Sequence, residues 1–254
     1  MERLEYGDTG IEISRLCYGV GHLNNVCDSH AAGGDLLSAA YDQGVTFWDT
    51  AEMYSTQLHV GAGLKAVGRE NVVVQTKAEI TTPEGMRASL EKSLREMGTE
   101  FIDIYFLHAV ASPEDLAERE GALNVLLDAK ERGVIGAIGC STHVYAGPVM
   151  DAVIDHPEMR AVLATANKEG RMLEGGPLDA HLDHLRRAYS VGMGVSLMKV
   201  IAAGDIPEAD IPEWIRWGFD CEFAHAINLG MSNRPEIDLD ARLAHEHARQ
   251  RRAA

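Results

Sequence analysis

The chain has 254 residues, 46% of them apolar and 24% charged, with a formal net charge of −16. That length suits one barrel-sized domain able to bury its own core without metals or disulfides, and the acidic balance excludes nucleic acid and anionic membrane surfaces as partners. Cys17, Cys27, Cys140 and Cys221 show neither CxxC spacing nor clustered histidines, so no zinc site or disulfide framework is expected, and reduced thiols point to the cytoplasm.

The opening residues, MERLEYGDTG, lack the basic-then-apolar pattern of a secretion signal, and no stretch reaches the ~18 apolar residues of a membrane span. Leu4–Ile13 contains Gly7-Asp8-Thr9-Gly10 and predicts a small hairpin within residues 1–14. Short apolar runs follow at Leu16–Val20, Val45–Trp48, Val72–Val74, Ile102–Leu107, Val134–Ile138, Ala161–Leu163, Gly194–Met198 and Ala226–Leu229. Several are nearly continuous rather than alternating, the pattern of strands buried on both faces.

Amphipathic stretches separate the runs. Pro83–Met97 sets Met86, Leu90, Leu94 and Met97 at helical spacing against Arg87, Glu91 and Lys92. Ser112-Pro113-Glu114-Asp115 is a helix start, and Gly44, Gly98 and Gly133 fall where helices should stop. Gly61-Ala62-Gly63 lies in a predicted helix and suits close packing rather than a phosphate loop; His59, in the same helix, is expected at the surface or in packing. Residues 234–254 form a closing helix and tail. Eight strand–helix alternations without a long linker predict an α/β fold, a single (β/α)8 TIM barrel with a short N-terminal hairpin, as one domain over 1–254.

In such a barrel, functional groups gather at the C-terminal ends of the strands. Val45-Thr46-Phe47-Trp48 ends in Asp49, Val72-Val73-Val74-Gln75-Thr76 in Lys77, and Ile102-Asp103-Ile104-Tyr105-Phe106-Leu107 in His108, with Tyr54 five residues beyond Asp49. Successive strands thus bring a carboxylate, an ammonium and an imidazole to one rim. A nearby ammonium lowers a phenol's pKa from its reference of about 10, a paired carboxylate balances the buried cation, and an imidazole orients a carbonyl oxygen or relays a proton. The set is suited to protonating a carbonyl oxygen as hydride reaches its carbon. His22, at the end of the first barrel run, and His143, after the fifth, are candidate substrate contacts.

These segments resemble the aldo-keto reductases: Phe47-Trp48-Asp49-Thr50-Ala51-Glu52-Met53-Tyr54, Gln75-Thr76-Lys77, Phe106-Leu107-His108, Gly133-Val134-Ile135-Gly136-Ala137-Ile138-Gly139-Cys140-Ser141, Met198-Lys199 and Gly230-Met231-Ser232-Asn233. The resemblance implies NAD(P)H-dependent interconversion of a small-molecule carbonyl and an alcohol without a metal. Tyr54 would be the general acid, tuned by Lys77 and Asp49, and His108 would position the carbonyl.

The resemblance also implies cofactor contacts at Gly21, Ser141, Thr142, Asn167, Met198, Lys199, Gly230, Met231, Ser232, Asn233 and Arg234. Here the sequence departs from the family's pattern. Ser141-Thr142 replaces Ser-Asn, Leu163 stands at a Gln position, and Leu239-Asp240 stands where a Glu-Asn pair is usual. Ser232 and Arg234 favour NADP(H), with NAD(H) the alternative. Two functional readings remain: a reductase, and a redox-neutral lyase, dehydratase or isomerase using the same acid–base groups. A third, a binding barrel with a nucleotide site, would have no use for a paired Lys77 and Tyr54.

Overall fold

The structure is a computed structural model that describes residues 1–144 and 147–253. Strands β1 (Arg3–Glu5) and β2 (Glu12–Ser14) pair antiparallel around a 3-10 turn at Gly7–Thr9, as the Gly-Asp-Thr-Gly sequence predicts. The rest runs β3 (Leu16–Gly19), α1 (Leu23–Val26), α2 (His30–Asp42), β4 (Phe47–Asp49), α3 (Gln57–Val67), β5 (Val73–Ala78) and α4 (Pro83–Met97). It continues through β6 (Ile102–Leu107), α5 (Pro113–Glu118), α6 (Glu120–Glu131), β7 (Ile135–Thr142), α7 (Gly147–Ile154), β8 (Met159–Thr165) and α8 (Leu178–Ser190). Strand β9 (Gly194–Met198), α9 (Ile211–Asp220), β10 (Ala226–Leu229) and α10 (Arg234–Ala253) complete the order.

Strands β3 to β10 are parallel neighbours, and β10 pairs with β3 to close an eight-stranded barrel. Two strands extend further than their apolar runs suggest. β5 continues through Gln75, Thr76 and Lys77, and β7 through Ser141 and Thr142, so polar side chains enter the barrel on the strands themselves.

Local chemistry explains the helix ends. In α4, Thr82 Oγ1 accepts the Gly85 N–H at 3.2 Å, Pro83 occupies the first turn, and Gly98 stops the helix in the left-handed region. The buried face of α4 carries Met86, Ser89, Leu90, Ser93 and Met97. Ser112 caps α5 in the same way, accepting the Asp115 N–H at 3.1 Å. Gly61 lets α3 approach the end of α4, since a Cβ there would lie 2.7 Å from Glu96 O.

The core has two layers. The larger lies between strands and helices and includes Tyr18, Trp48, Leu107, Ile138 and Leu197. The smaller fills the barrel interior with Tyr6, Ile13, Cys17, Phe47, Ile104, Phe106 and Leu163. Fully burying each large side chain contributes roughly 1.5–3 kcal/mol. Tyr6 comes from the hairpin, and its hydroxyl bonds Val162 O at 3.3 Å and Ser196 Oγ at 2.9 Å. The hairpin thus packs against the barrel interior and leaves the opposite, C-terminal rim for chemistry. No helix among the described residues is long and apolar enough to cross a membrane.

Candidate active site

Asp49 is the last residue of β4, Lys77 lies in β5, and His108 follows β6 directly. Parallel register sets Asp49 beside Gln75, and Lys77 beside Phe106. Asp49 and Lys77 are 4% and 1% exposed, which makes their pairing obligatory: an unpaired buried ion would cost several kcal/mol. Lys77 Nζ donates to Asp49 Oδ1 at 2.6 Å and to Thr50 O at 2.8 Å. These bonds use two of its three N–H groups among the described residues.

Asp49 is held from two further sides. Gln75 Nε2 donates to Oδ1 and Asn228 Nδ2 to Oδ2, each at 2.8 Å. Burial by itself would lower the Lys77 pKa, but the Asp49 carboxylate, with Tyr54, outweighs it and holds the pKa above the ordinary lysine value. Lys77 is therefore a permanent cation at neutral pH.

Tyr54 ends a 3-10 turn at Glu52–Tyr54. Lys77 Nζ lies 5.1 Å from the centre of its ring, and the His108 ring meets it edge to face at 5.7 Å. Gly21 faces the other edge, where a Cβ would sit 3.1 Å from Tyr54 Cδ2. From the sequence, Lys77 is expected to lower the phenol pKa. In the folded chain burial dominates and Asp49 adds to it, so the pKa is raised despite the opposing pull of Lys77. The phenol keeps its proton at neutral pH.

His108 is neutral as well. Burial, then Lys77, His143 and Arg119, lowers its pKa to about 3. Arg119, clamped at 2.6 and 2.9 Å by Asp115, donates to the His108 carbonyl at 2.7 Å and fixes the backbone there. The His143 ring lies 6.5 Å from that of His108, and its Nδ1 is 3.2 Å from Thr165 Oγ1. Burial, then Lys199 and Lys77, lowers its pKa too. The His22 ring lies against Gly230.

The cofactor candidates divide by what they already hold. Ser141 Oγ accepts the Ala109 N–H at 2.9 Å, while Thr142 Oγ1 is buried without a partner among the described residues, as are His108 Nδ1 and His22 Nε2. Met198 ends β9, and Lys199 follows with φ 61°. Asn167 is spent inside the chain. Its Nδ2 donates to Arg171 O at 2.8 Å and Lys199 O at 3.2 Å, and its Oδ1 accepts from Glu169 and Arg171 N–H at 3.3 and 2.9 Å. Met231 is fully buried in the outer core, with its carbonyl taken by the Tyr18 hydroxyl. Ser232 and Asn233 are engaged by Glu236, and Arg234 is exposed.

Other residues belong to the site although the sequence alone assigns them no role there, Gln75 among them even though it opens the Gln75-Thr76-Lys77 motif. Gln75 lies two residues before Lys77 on one strand, so period-two alternation puts both on one face. Asn228 is the single polar residue of Ala226–Leu229, a signal present in the sequence. Asn24, at the start of the chain's first barrel crossover, donates to Tyr54 O at 2.8 Å and Ser55 O at 3.1 Å. His59, expected at the surface or in packing, is buried, and its Nε2 is 2.8 Å from Asn24 Oδ1.

Comparison with known proteins agrees with this geometry. The profile of the Aldo/keto reductase family matches residues 15–167. Among curated relatives, "Probable aldo-keto reductase 1" of Glycine max is 30% identical over 158 residues, 56% of this chain and 45% of that protein. An "NADH-specific methylglyoxal reductase" of Escherichia coli is 28% identical over 172 residues, 56% of this chain and 52% of that protein. The matches span about half the length of these relatives. Among solved structures, a putative aldo-keto reductase from Pseudomonas aeruginosa superposes with a TM-score of 0.82 at 22% identity, covering 97% of this chain and 95% of the other. An aldo-keto reductase of Bombyx mori in complex with NADP superposes with a TM-score of 0.72 at 20% identity, covering 95% and 87%. The barrel and the matched stretch, which contains Asp49, Tyr54, Lys77 and His108, lead to one conclusion: the chain belongs to the aldo/keto reductase family.

Proposed function

We propose that the chain is a nicotinamide-dependent oxidoreductase interconverting a small-molecule carbonyl and an alcohol, with Tyr54 as general acid in reduction and general base in oxidation. The observation that supports this best is the buried Asp49–Lys77 pair beside a phenol and an imidazole that both stay neutral. A cation that cannot lose its charge, next to a phenol that keeps its proton, is the arrangement a proton donor needs.

When bound, the nicotinamide cofactor supplies hydride to the carbonyl carbon. Tyr54 releases its proton to the carbonyl oxygen, and Lys77 stabilises the phenolate left behind. Asp49, braced by Gln75 and Asn228, keeps Lys77 charged and in place. His108, as neutral imidazole, orients the carbonyl oxygen by hydrogen bonding, with His143 and His22 as substrate contacts.

The rim offers a place for the nicotinamide end. Thr142 Oγ1, buried and without a partner among the described residues at the end of β7, is a polar group of the kind a carboxamide satisfies. Ser141, Thr142, Gly21, Met198 and Lys199 are the residues assigned to that end, without a metal. Asn167 is assigned a bracing role in the loop after β8. Four free cysteines accord with a cytoplasmic enzyme.

The test is a titration of the purified protein with NADH and NADPH, followed by nicotinamide fluorescence. Saturable binding of either is expected, and Tyr54→Phe should keep that affinity while losing on the order of 100-fold or more in turnover on a carbonyl panel. No binding up to millimolar cofactor would defeat the reductase reading in favour of a redox-neutral one. Joint loss of affinity and turnover in Tyr54→Phe would defeat the role given to Tyr54.

A further inference from the structure

The proton donor is not held by a hydrogen bond of its own. The Tyr54 hydroxyl makes none among the described residues, so the phenol stands where its 3-10 turn, Glu52–Tyr54, puts it. What holds that turn is a set of polar side chains outside the acid–base group. Helix α4 points Ser89 and Ser93 inward, 3% and 0% exposed, on the face that otherwise carries Met86, Leu90 and Met97. Serine is a middling helix former, and a buried hydroxyl is costly unless bonded, so packing alone accounts for neither.

Each serine takes a residue that flanks Tyr54. Glu52, two residues before it, accepts the Ser89 hydroxyl on Oε2 at 2.5 Å and Lys92 Nζ on Oε1 at 3.1 Å. Ser89, Lys92 and Ser93 stand at i, i+3 and i+4, neighbours on one side of the helix. Gln57, three residues after Tyr54 and fully buried, donates from Nε2 to Ser93 Oγ at 2.8 Å and to Thr76 Oγ1 at 2.9 Å. Thr76 directly precedes Lys77 on β5. Ser89 has one hydrogen, which goes to Glu52, so the Tyr105 hydroxyl of β6, 2.9 Å away, donates to Ser89 in turn. Burial would raise the Glu52 pKa, but Ser89 and Lys92 hold it below the ordinary carboxylate value, so this anchor is charged at neutral pH.

From this geometry we infer that Glu52 and Gln57 are positioning residues for the reaction: moored to Ser89 and Ser93 of α4, they set the Tyr54 phenol against Lys77, with Glu52 the stronger tie. The inference rests on the acid–base role given to Tyr54 above. Glu52 fixes the start of the turn. Gln57 joins the segment after Tyr54 to the strand that carries Lys77. Between them they hold the donor ring at its 5.1 Å from Lys77 Nζ. A carboxylate suits the first mooring because it accepts from Ser89 and Lys92 at once, and bonds to a charged group are stronger than neutral ones. The placement matters because a shift of about 1 Å in a reacting group can slow turnover about 100-fold.

The test compares Glu52→Gln, Tyr54→Phe and the two combined in the whole chain, on the fastest substrate of a carbonyl panel that includes methylglyoxal. Glutamine keeps the shape but has one acceptor oxygen for two donors, so Ser89 or Lys92 must face its NH2. The expected result is a kcat about tenfold lower, with KM and the fluorescence-measured affinity for NADH or NADPH within about twofold, at a temperature where circular dichroism shows the variant folded. In the Tyr54→Phe background the same change should slow turnover less than about twofold, because Glu52 acts through the phenol. Lys92→Met, at a side chain 39% exposed, loosens the same mooring without touching the core. It should lower kcat about threefold at unchanged KM, and keeps the inference testable where Glu52→Gln does not fold. Unchanged kcat in both variants overturns the inference and leaves the role of Tyr54 standing. So does an equal loss without the phenol, or a loss of cofactor affinity in step with kcat. If the unmodified protein turns over no carbonyl, or Tyr54→Phe keeps its turnover, the acid–base reading falls and the inference falls with it.

Discussion

Asp49→Asn tests the centre of the site with almost no change of shape. The Asp49 carboxylate receives Lys77 and Gln75 on Oδ1 and Asn228 on Oδ2. An asparagine that keeps its oxygen toward Lys77 turns its NH2 against the NH2 of Asn228, and the opposite orientation sets it against Lys77 and Gln75. One donor–donor conflict is unavoidable. Lys77, 1% exposed, also loses its counter-charge. Breaking such a buried pair costs about 3–5 kcal/mol, a large share of the roughly 5–15 kcal/mol that holds a domain folded. For a chain of this size that is a fall on the order of 10 °C in Tm. Urea unfolding at pH 7 measures the cost. Asp49→Asn combined with Lys77→Met removes the stranded charge and should recover much of the stability but none of the activity. A single-substitution cost below about 1 kcal/mol, or costs that simply add in the double variant, would refute the coupled pair.

Asn24→Leu removes both ties on the Tyr54–Ser55 carbonyls, where Ser55 holds a left-handed φ of 56°. Turnover should fall about tenfold through misplacement of the phenol while cofactor affinity holds. His59→Gln, which can still donate to Asn24 Oδ1, should retain turnover better than His59→Leu, and equal loss in both would rule out the brace. Acid should destabilise the fold. Burial above all lowers His108 to about 3 and His181 and His225 to about 4, below the ordinary 6.5 they regain on unfolding. Their contribution is complete above about pH 6.5 and is lost as pH falls through the window toward 4 and 3. Asp240, raised to about 8, runs the other way across that window, but three imidazoles outnumber it. A lower urea midpoint at pH 4.5 than at pH 7.5 is expected, and equal midpoints would refute the assignment.

Much of this molecule is written locally. Continuous apolar runs specify strands buried on both faces, and Thr82, Pro83, Gly98 and Ser112 mark helix ends through contacts a few residues apart. The polar residues ending three successive runs announced Asp49, Lys77 and His108, because parallel strands deliver their C-terminal ends to one rim. The sequence offered Ser232 and Arg234 as phosphate contacts, and only the fold shows Glu236 engaging Ser232 and Asn233.

Tertiary structure decided the rest. Asn228 reaches Asp49 across 179 residues because β10 closes the barrel onto β3, a contact no local pattern carries. The Tyr54 proton depends on burial set against the nearby charges of Lys77 and Asp49, and the outcome is fixed by depth and distance, which exist only once the barrel is closed. Asn167 occupies a cofactor position in the sequence and a loop brace in the fold. Sequence pattern determined which residues reach the rim of this protein. Barrel closure determined which of them remain free to act, because a polar group's capacity for hydrogen bonds is finite and its neighbours in space use it first.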